Sequence, residues 1–151
     1  MTTTPALESV QRTIEVADAT HFSGLLELIR HLSPCPEPSI AKKILGDIMR
    51  NPDQLLIVSV AEDQVIGTAE LLLRPNLSHG GRPAGYIENV VTHPDYRGNG
   101  VGREMIDHLV QTAEKKGCYK VTLSCSDGNV PFYEKCGFRK TDENQMRRDF
   151  Q

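Results

Sequence analysis

No stretch of this 151-residue chain is apolar over the roughly 18 residues that a membrane-spanning helix needs, which argues against a helical membrane protein. The opening Met1-Thr2-Thr3-Thr4-Pro5 has neither a cationic start nor an apolar centre, so no secretory leader is expected. Cysteine is scarce. Cys35, Cys118, Cys125 and Cys136 include no CxxC pair, and the expectation is a reduced, cytoplasmic protein with free thiols rather than two disulfides. The five histidines, at 21, 31, 79, 93 and 108, stand at no metal-ligand spacing, so no metal is expected. An excess of one charge is lacking too. Seventeen Lys and Arg face 20 Asp and Glu, a formal net charge of −3 that disfavours a surface devoted to nucleic acid. Internal repeats and low-complexity linkers are missing. The length suits one compact domain, able to bury about 70% of its unfolded surface without a staple.

What is there is ordinary for a globular domain: 38% hydrophobic and 25% charged residues. Residues 1–11 read as a loose polar lead-in and 12–151 as the folded domain. Residues 12–17 alternate Ile14 and Val16 with polar neighbours, as a strand does. Asp18 is placed to cap a helix carrying Phe22, Leu25, Leu26, Ile29 and Leu32, which the prolines at 34, 36 and 38 stop. Ser39 is placed to cap a second helix with Ile40, Ile44, Leu45, Ile48 and Met49 on one face. Residues 55–61 and 65–74, around the turn Glu62-Asp63-Gln64, predict a hairpin, with Gly67 marking a bulge or a close backbone approach. A long loop over 75–85 leads to a strand at 86–93. Apolar positions 101, 105, 106, 109, 110 and 113 predict a helix that Gly117 ends. A strand at 119–125, a short helix at 129–136 and a last strand at 145–150 complete the order. The fold class is therefore α/β (α+β): one domain with a central mixed, mostly antiparallel sheet and helices on both faces.

The most informative stretch is Arg97-Gly98-Asn99-Gly100-Val101-Gly102, between a strand and a long helix. Glycines let amides converge at a helix N-terminus, where a phosphate or pyrophosphate is favoured. A Walker loop needs Lys-Ser/Thr after its last glycine, and here Arg103-Glu104 follows. A dinucleotide fingerprint would place its third glycine at 103, which is arginine.

The same hexapeptide resembles the pyrophosphate loop, Arg/Gln-x-x-Gly-x-Gly/Ala, of the GNAT family of N-acetyltransferases. Ile87-Glu88-Asn89-Val90-Val91 before it and Asn129-Val130-Pro131-Phe132-Tyr133-Glu134-Lys135-Cys136-Gly137-Phe138 after it match that family at its usual separations. The likeness runs from about Arg12 to about Phe150. It is strongest toward glucosamine-6-phosphate N-acetyltransferases, through Gly117–Lys120 and Tyr133–Phe138. The chain departs from them at Asn89, where an acidic residue is usual, at Ser124, where an Asp is usual, and in the register of Arg148.

The resemblance implies an acyltransferase that moves acetyl from acetyl-CoA, a cosubstrate, to a primary amine of a small molecule, with D-glucosamine 6-phosphate as the first expectation. Another small amine (a polyamine, amino acid or aminoglycoside) and a catalytically silent CoA-binding module are the alternatives. It implies that amides from Arg97, Gly98, Asn99, Gly100, Val101 and Gly102 anchor the coenzyme, with Arg97 and Arg103 as charge partners. It implies that the amides of Val90 and Val91 meet the thioester oxygen and pantetheine arm, and that Tyr133 is the general acid rather than only a core ring. Glu88 is either the base, a substrate ligand or a solvated bystander. Asn129 bonds the pantetheine, caps its helix, or both. Asn89, Ser124, His79, Arg82 and Arg148 are candidate substrate contacts; His79 and Arg82 either read a phosphate or decorate a turn. Lys135, Arg139 and Lys140 form a solvated face or attract the nucleotide 3′-phosphate. A homodimer is expected, its terminal strand pairing or swapping at a sheet edge.

Overall fold

The computed structural model describes residues 11–151, so nearly all of the expected lead-in lies outside the described residues. Strand β1 (Arg12–Val16) pairs antiparallel with β2 (Gln54–Ala61), β2 with β3 (Gln64–Arg74), and β3 with β4 (Ala84–Thr92). Strand β5 (Lys120–Leu123) joins β4 in parallel, because helix α3 (Val101–Lys115) supplies the crossover that a parallel neighbour requires. The sheet order among the described residues is β1-β2-β3-β4-β5. The hairpin turn is the expected one: Glu62 and Asp63 both take positive φ, which matches the twist of the flanking strands.

The helix starts differ in detail from expectation. Asp18 accepts from the Thr20 amide and caps a 3-10 turn, Ala19–His21, that feeds α1 (Phe22–Ile29). The helix stops at Ile29, and Leu32 lies half exposed beyond it. Helix α2 (Pro38–Arg50) has Pro38 in its first turn and Glu37 at its cap, so Ser39 sits inside and donates to the Glu37 carboxylate. Proline fits there because the first helical amides have no partner to lose. A short helix α4 (Val130–Lys135) follows a 3-10 turn at Asp127–Asn129.

Strand alternation sends side chains to two cores. Ile57, Leu71 and Ile87 meet Val101, Met105, Ile106 and Leu109 of α3. Leu56, Val58, Val65 and Val91 meet Leu25 and Leu28 of α1 and Leu45 of α2 on the other face. Each large aliphatic side chain buried this way contributes about 1.5–3 kcal/mol. Helices therefore cover both faces, as the pattern predicted. All four cysteines are free thiols.

The last predicted strand does not form. Residues 145–150 carry no ladder partner among the described residues, and Met146 and Phe150 are almost fully exposed. Alternation of Met146, Arg148 and Phe150 makes a segment fit for pairing, but a strand exists only where another edge accepts its hydrogen bonds. No described edge does so here.

Gly67 proves to be a close approach. A Cβ there would stand 2.9 Å from Met105 Cε and 3.0 Å from Val101 Cγ1, so glycine lets α3 seat its first two turns against β3. Gly67→Ala should therefore lower stability by about 1–3 kcal/mol through overpacking. Thermal or denaturant unfolding checks this; an unchanged midpoint would mean that α3 is free to shift.

Candidate active site

The site begins where β4 parts from β5. Their parallel ladder ends at Ile87 and Leu123. Immediately afterwards, Asn89 and Val90 oppose Ala69 alone, because Glu70 pairs with Glu88 and Thr68 with Val91. This bulge is built on Asn89, whose φ of 54° is one that asparagine tolerates better than most residues. It also inverts facing: Ile87 points to the α3 core, yet Val91 points to the α1 core. Beyond Ile87, the β5-side edge of β4 has no strand against it. A cleft of about 660 Å³ opens there, lined by Val90, Val91, Thr92, the 97–103 loop, Asn129, Phe132 and Tyr133.

The glycine loop forms one wall. Gly98 and Gly100 take φ of 79° and 81°, and Gly100 is the cap of α3. Asn99 turns its side chain inward, donating to the carbonyls of Tyr96 (3.1 Å) and Arg97 (3.0 Å). Arg12, from β1, donates to the Asn99 carbonyl at 2.7 Å and forks onto Glu104 at 2.9 and 2.6 Å. The loop is thus fixed before any ligand arrives. Val101 is buried in the core, its side chain packed against β3. At Gly102 a Cβ would crowd Phe132 Cζ at 3.2 Å, so the aromatic wall sits directly on the loop. The loop amides, the free edge of β4 and the apolar wall suit a long ligand with an anionic end and a neutral arm.

Tyr133 lines the same cleft. Its ring packs edge-on against Phe132, at 4.9 Å between centroids, and near Phe138 at 6.1 Å. Burial, with the neighbouring Cys125 and Cys136 thiols adding to it, pushes the phenol above its ordinary range. It therefore stays protonated at neutral pH and is able to donate.

The profile of the acetyltransferase (GNAT) family matches residues 22–138. This chain belongs to that family. A glucosamine 6-phosphate N-acetyltransferase from Trypanosoma brucei brucei is 38% identical over 139 residues, 90% of this chain and 94% of the relative. The crystal structure of a Trypanosoma brucei acetyltransferase superposes with a TM-score of 0.85 at 37% identity, covering 93% of this chain and all of that one. Glucosamine-6-phosphate N-acetyltransferase from Arabidopsis thaliana superposes with a TM-score of 0.87 at 26% identity, over 93% and 99% of the two chains.

In this GNAT acetyltransferase the remaining candidates fall into three groups. Glu88 is exposed on β4, two residues before Val90, the first residue of that strand to line the cleft. Packing around its carboxyl, and then the Glu70 charge, raise its proton affinity. Ser124 receives a hydrogen bond from Tyr86 at 3.2 Å on the same sheet edge. Asn129 occupies the cap position of α4 but makes no capping bond, which leaves its side chain to the cleft.

His79 and Arg82 lie elsewhere. His79 stacks on Tyr119 at 4.0 Å, and Arg82 donates to the carbonyls of Gly117 and Cys118, closing the end of α3. They stand before β4, about 20 Å of strand from Val90. Within one chain the structure brings neither to Glu88. Arg97 and Arg103 are exposed beside the loop, Arg97 donating to the Thr92 carbonyl and Arg103 facing Asp107. Lys135 lines the cleft, Arg139 and Lys140 line a second groove, and Arg148 lies exposed in the tail. Two residues escaped sequence reasoning. Arg12 gave no local signal, since its partners are 87 and 92 positions away. Glu70 was visible as a lone carboxylate inside an apolar run.

Arg12→Ala should leave the glycine loop unanchored and weaken acetyl-CoA binding by about tenfold. Calorimetric titration of both proteins measures this; equal affinities would mean that the loop holds its shape unaided.

Proposed function

We propose that this GNAT acetyltransferase transfers the acetyl group of acetyl-CoA to the amine of D-glucosamine 6-phosphate by direct attack. One observation carries the chemistry. The loop, the free edge of β4 and the protonated Tyr133 phenol line a single cleft. The amine acceptor is supported by the relatives that bear that activity in their names across nearly the whole chain.

When bound, acetyl-CoA supplies an activated acetyl thioester. Amides of residues 98–102, with Arg97 and Arg103 beside them, hold its diphosphate. The amides of Val90 and Val91 polarise the carbonyl, a contribution commonly worth a few kcal/mol where donors are preset. Asn129 holds the arm. Glu88 takes the proton of the acceptor ammonium, directly or through water, and Tyr133 returns one to the departing sulfur. The coenzyme suits this chain because Asn99 and Arg12 tie the loop and an open cleft of about 660 Å³ runs beside it.

The sugar phosphate needs a cation besides Arg97, Arg103 and Lys135, which already line the coenzyme cleft. We assign it to Arg148 of a second copy. The tail borders a groove of about 930 Å³ along β5, and exposed Met146 and Phe150 are dressed for pairing in a homodimer. The free thiols and balanced charge suit a cytoplasmic enzyme without nucleic-acid or membrane partners. A different small amine is the second reading. The Asn89 and Ser124 departures favour it.

Coenzyme release measured with glucosamine 6-phosphate against a polyamine, an amino acid and an aminoglycoside decides between acceptors. Turnover confined to another amine removes the sugar reading, and turnover with none removes the enzyme reading. Tyr133→Phe should lower kcat by about 10²-fold or more while leaving acetyl-CoA affinity intact. A full-speed variant would assign the acid elsewhere. Because the Glu88 carboxyl is held above the usual carboxylate range, kcat/KM should fall as pH drops through that raised value, where the base becomes protonated. Glu88→Gln should abolish this acidic limb.

A further inference from the structure

The mechanism leaves one buried carboxylate without a task. Glu70 is 5% exposed and interrupts the apolar side chains of β3. It pairs directly with Glu88 across the sheet, while the flanking pair Leu71 and Ile87 faces the α3 core. Both glutamates therefore project from the opposite face, about 5 Å apart at their Cβ atoms. Glu70 accepts one hydrogen bond from Gln54 Nε2 on one oxygen and one from Asn89 Nδ2, at 3.3 Å, on the other. Both donors are neutral, and no Lys, Arg or His forms an ion pair with Glu70 among the described residues. A buried, uncompensated carboxylate beside a second carboxylate is costly, and an apolar residue would suit this run better.

We propose that Glu70 is a positioning residue: it anchors the side chain of Asn89 at the bulge that parts β4 from β5, and it sets the charge of Glu88 toward the acceptor ammonium. The proposal rests on the acetyl-transfer reading for its consequence in turnover, but not for its effect on Glu88. Asparagine at positive φ is permitted rather than enforced, so a side-chain bond to a fixed carboxylate selects that conformation. The charge of Glu70 raises the proton affinity of Glu88, adding to the effect of packing. A more basic carboxylate accepts an ammonium proton more readily near neutrality.

Among the other titratable groups around β4, His31, just beyond α1, lines the cleft with Val90 and Val91 and meets the His93 ring edge-on at 5.9 Å. Tyr86, two residues before Glu88, is turned to Ser124. Lys120 of β5 pairs with Ala84 at the far end of the ladder and lies over the Tyr119 ring. Cys125 follows β5, Glu27 of α1 is exposed, and Arg103, Glu104 and Asp107 belong to α3 behind the sheet. None of these adds to the Glu88 shift, which has packing and Glu70 as its causes.

Glu70→Gln keeps the shape and removes the charge. Carbon-13 NMR of the free protein, with the Glu88 carboxyl assigned through Glu88→Gln, should show its titration midpoint falling by about 0.5–1 pH unit. The acidic limb of kcat/KM should move by the same amount. Glu70→Leu should weaken acetyl-CoA binding several-fold, and Asn89→Gly in that background should restore it, since glycine takes positive φ without an anchor. An unmoved Glu88 midpoint in Glu70→Gln overturns the proposal, as does unaltered acetyl-CoA affinity in Glu70→Leu. A shifted midpoint in a protein that acetylates no amine upholds the coupling between the two carboxylates and rejects the acetyl-transfer reading instead.

Discussion

Strand β4 gives up its neighbour after Ile87 because one extra residue at Asn89 has no counterpart on β3. A sheet satisfies its amides by continuing, and every interruption leaves donors that water or a ligand must meet. Here the interruption lies between the edge strand β5 and its neighbour, two strands already joined at their other ends. The gap it makes has fixed walls. One side is the edge of β4 left free where β5 ends, and the apolar lining comes from Phe132 and the valines. Without the bulge, Val91 would face the α3 core, and the two cores would lose their separation at this point.

The second wall is rigid for a different reason. The glycine loop owes its turn to positive φ at Gly98 and Gly100, but backbone freedom alone would leave it loose. Asn99 closes it from within and Arg12 from outside. A carbonyl and a carboxylate held by one guanidinium form a stronger tie than either bond alone, because the fork is preset and the charge is matched. Binding a polyanion then costs little further ordering of the chain.

Much of the architecture was legible because it rests on period and punctuation. A β-branched apolar run and a turn signal marked β2 and β3, the 101–113 spacing marked α3, and Gly117 ended it. The site was legible in its backbone at 97–102, where glycine spacing encodes a turn at a helix N-terminus. It was illegible where a side chain reaches across the fold. The carbonyls of Gly117 and Cys118 that Arg82 meets stand 35 and 36 positions away and gave no local signal. Asn129 sat at a capping position whose bond the fold does not make. The terminal strand was misread for a reason of the same kind: alternation describes a segment, whereas pairing belongs to two.

The cleft takes its parts from positions far apart in the chain: Arg12, Val90, the 97–103 loop and the 129–133 segment. During translation the loop and the strand that frees it leave the ribosome well before the helix bearing Tyr133. A polypeptide halted before residue 129 would carry the glycine loop while lacking both the aromatic wall and the phenol. Competence therefore arrives late and all at once, when the closing helix docks onto a seat that the first strand has been bracing.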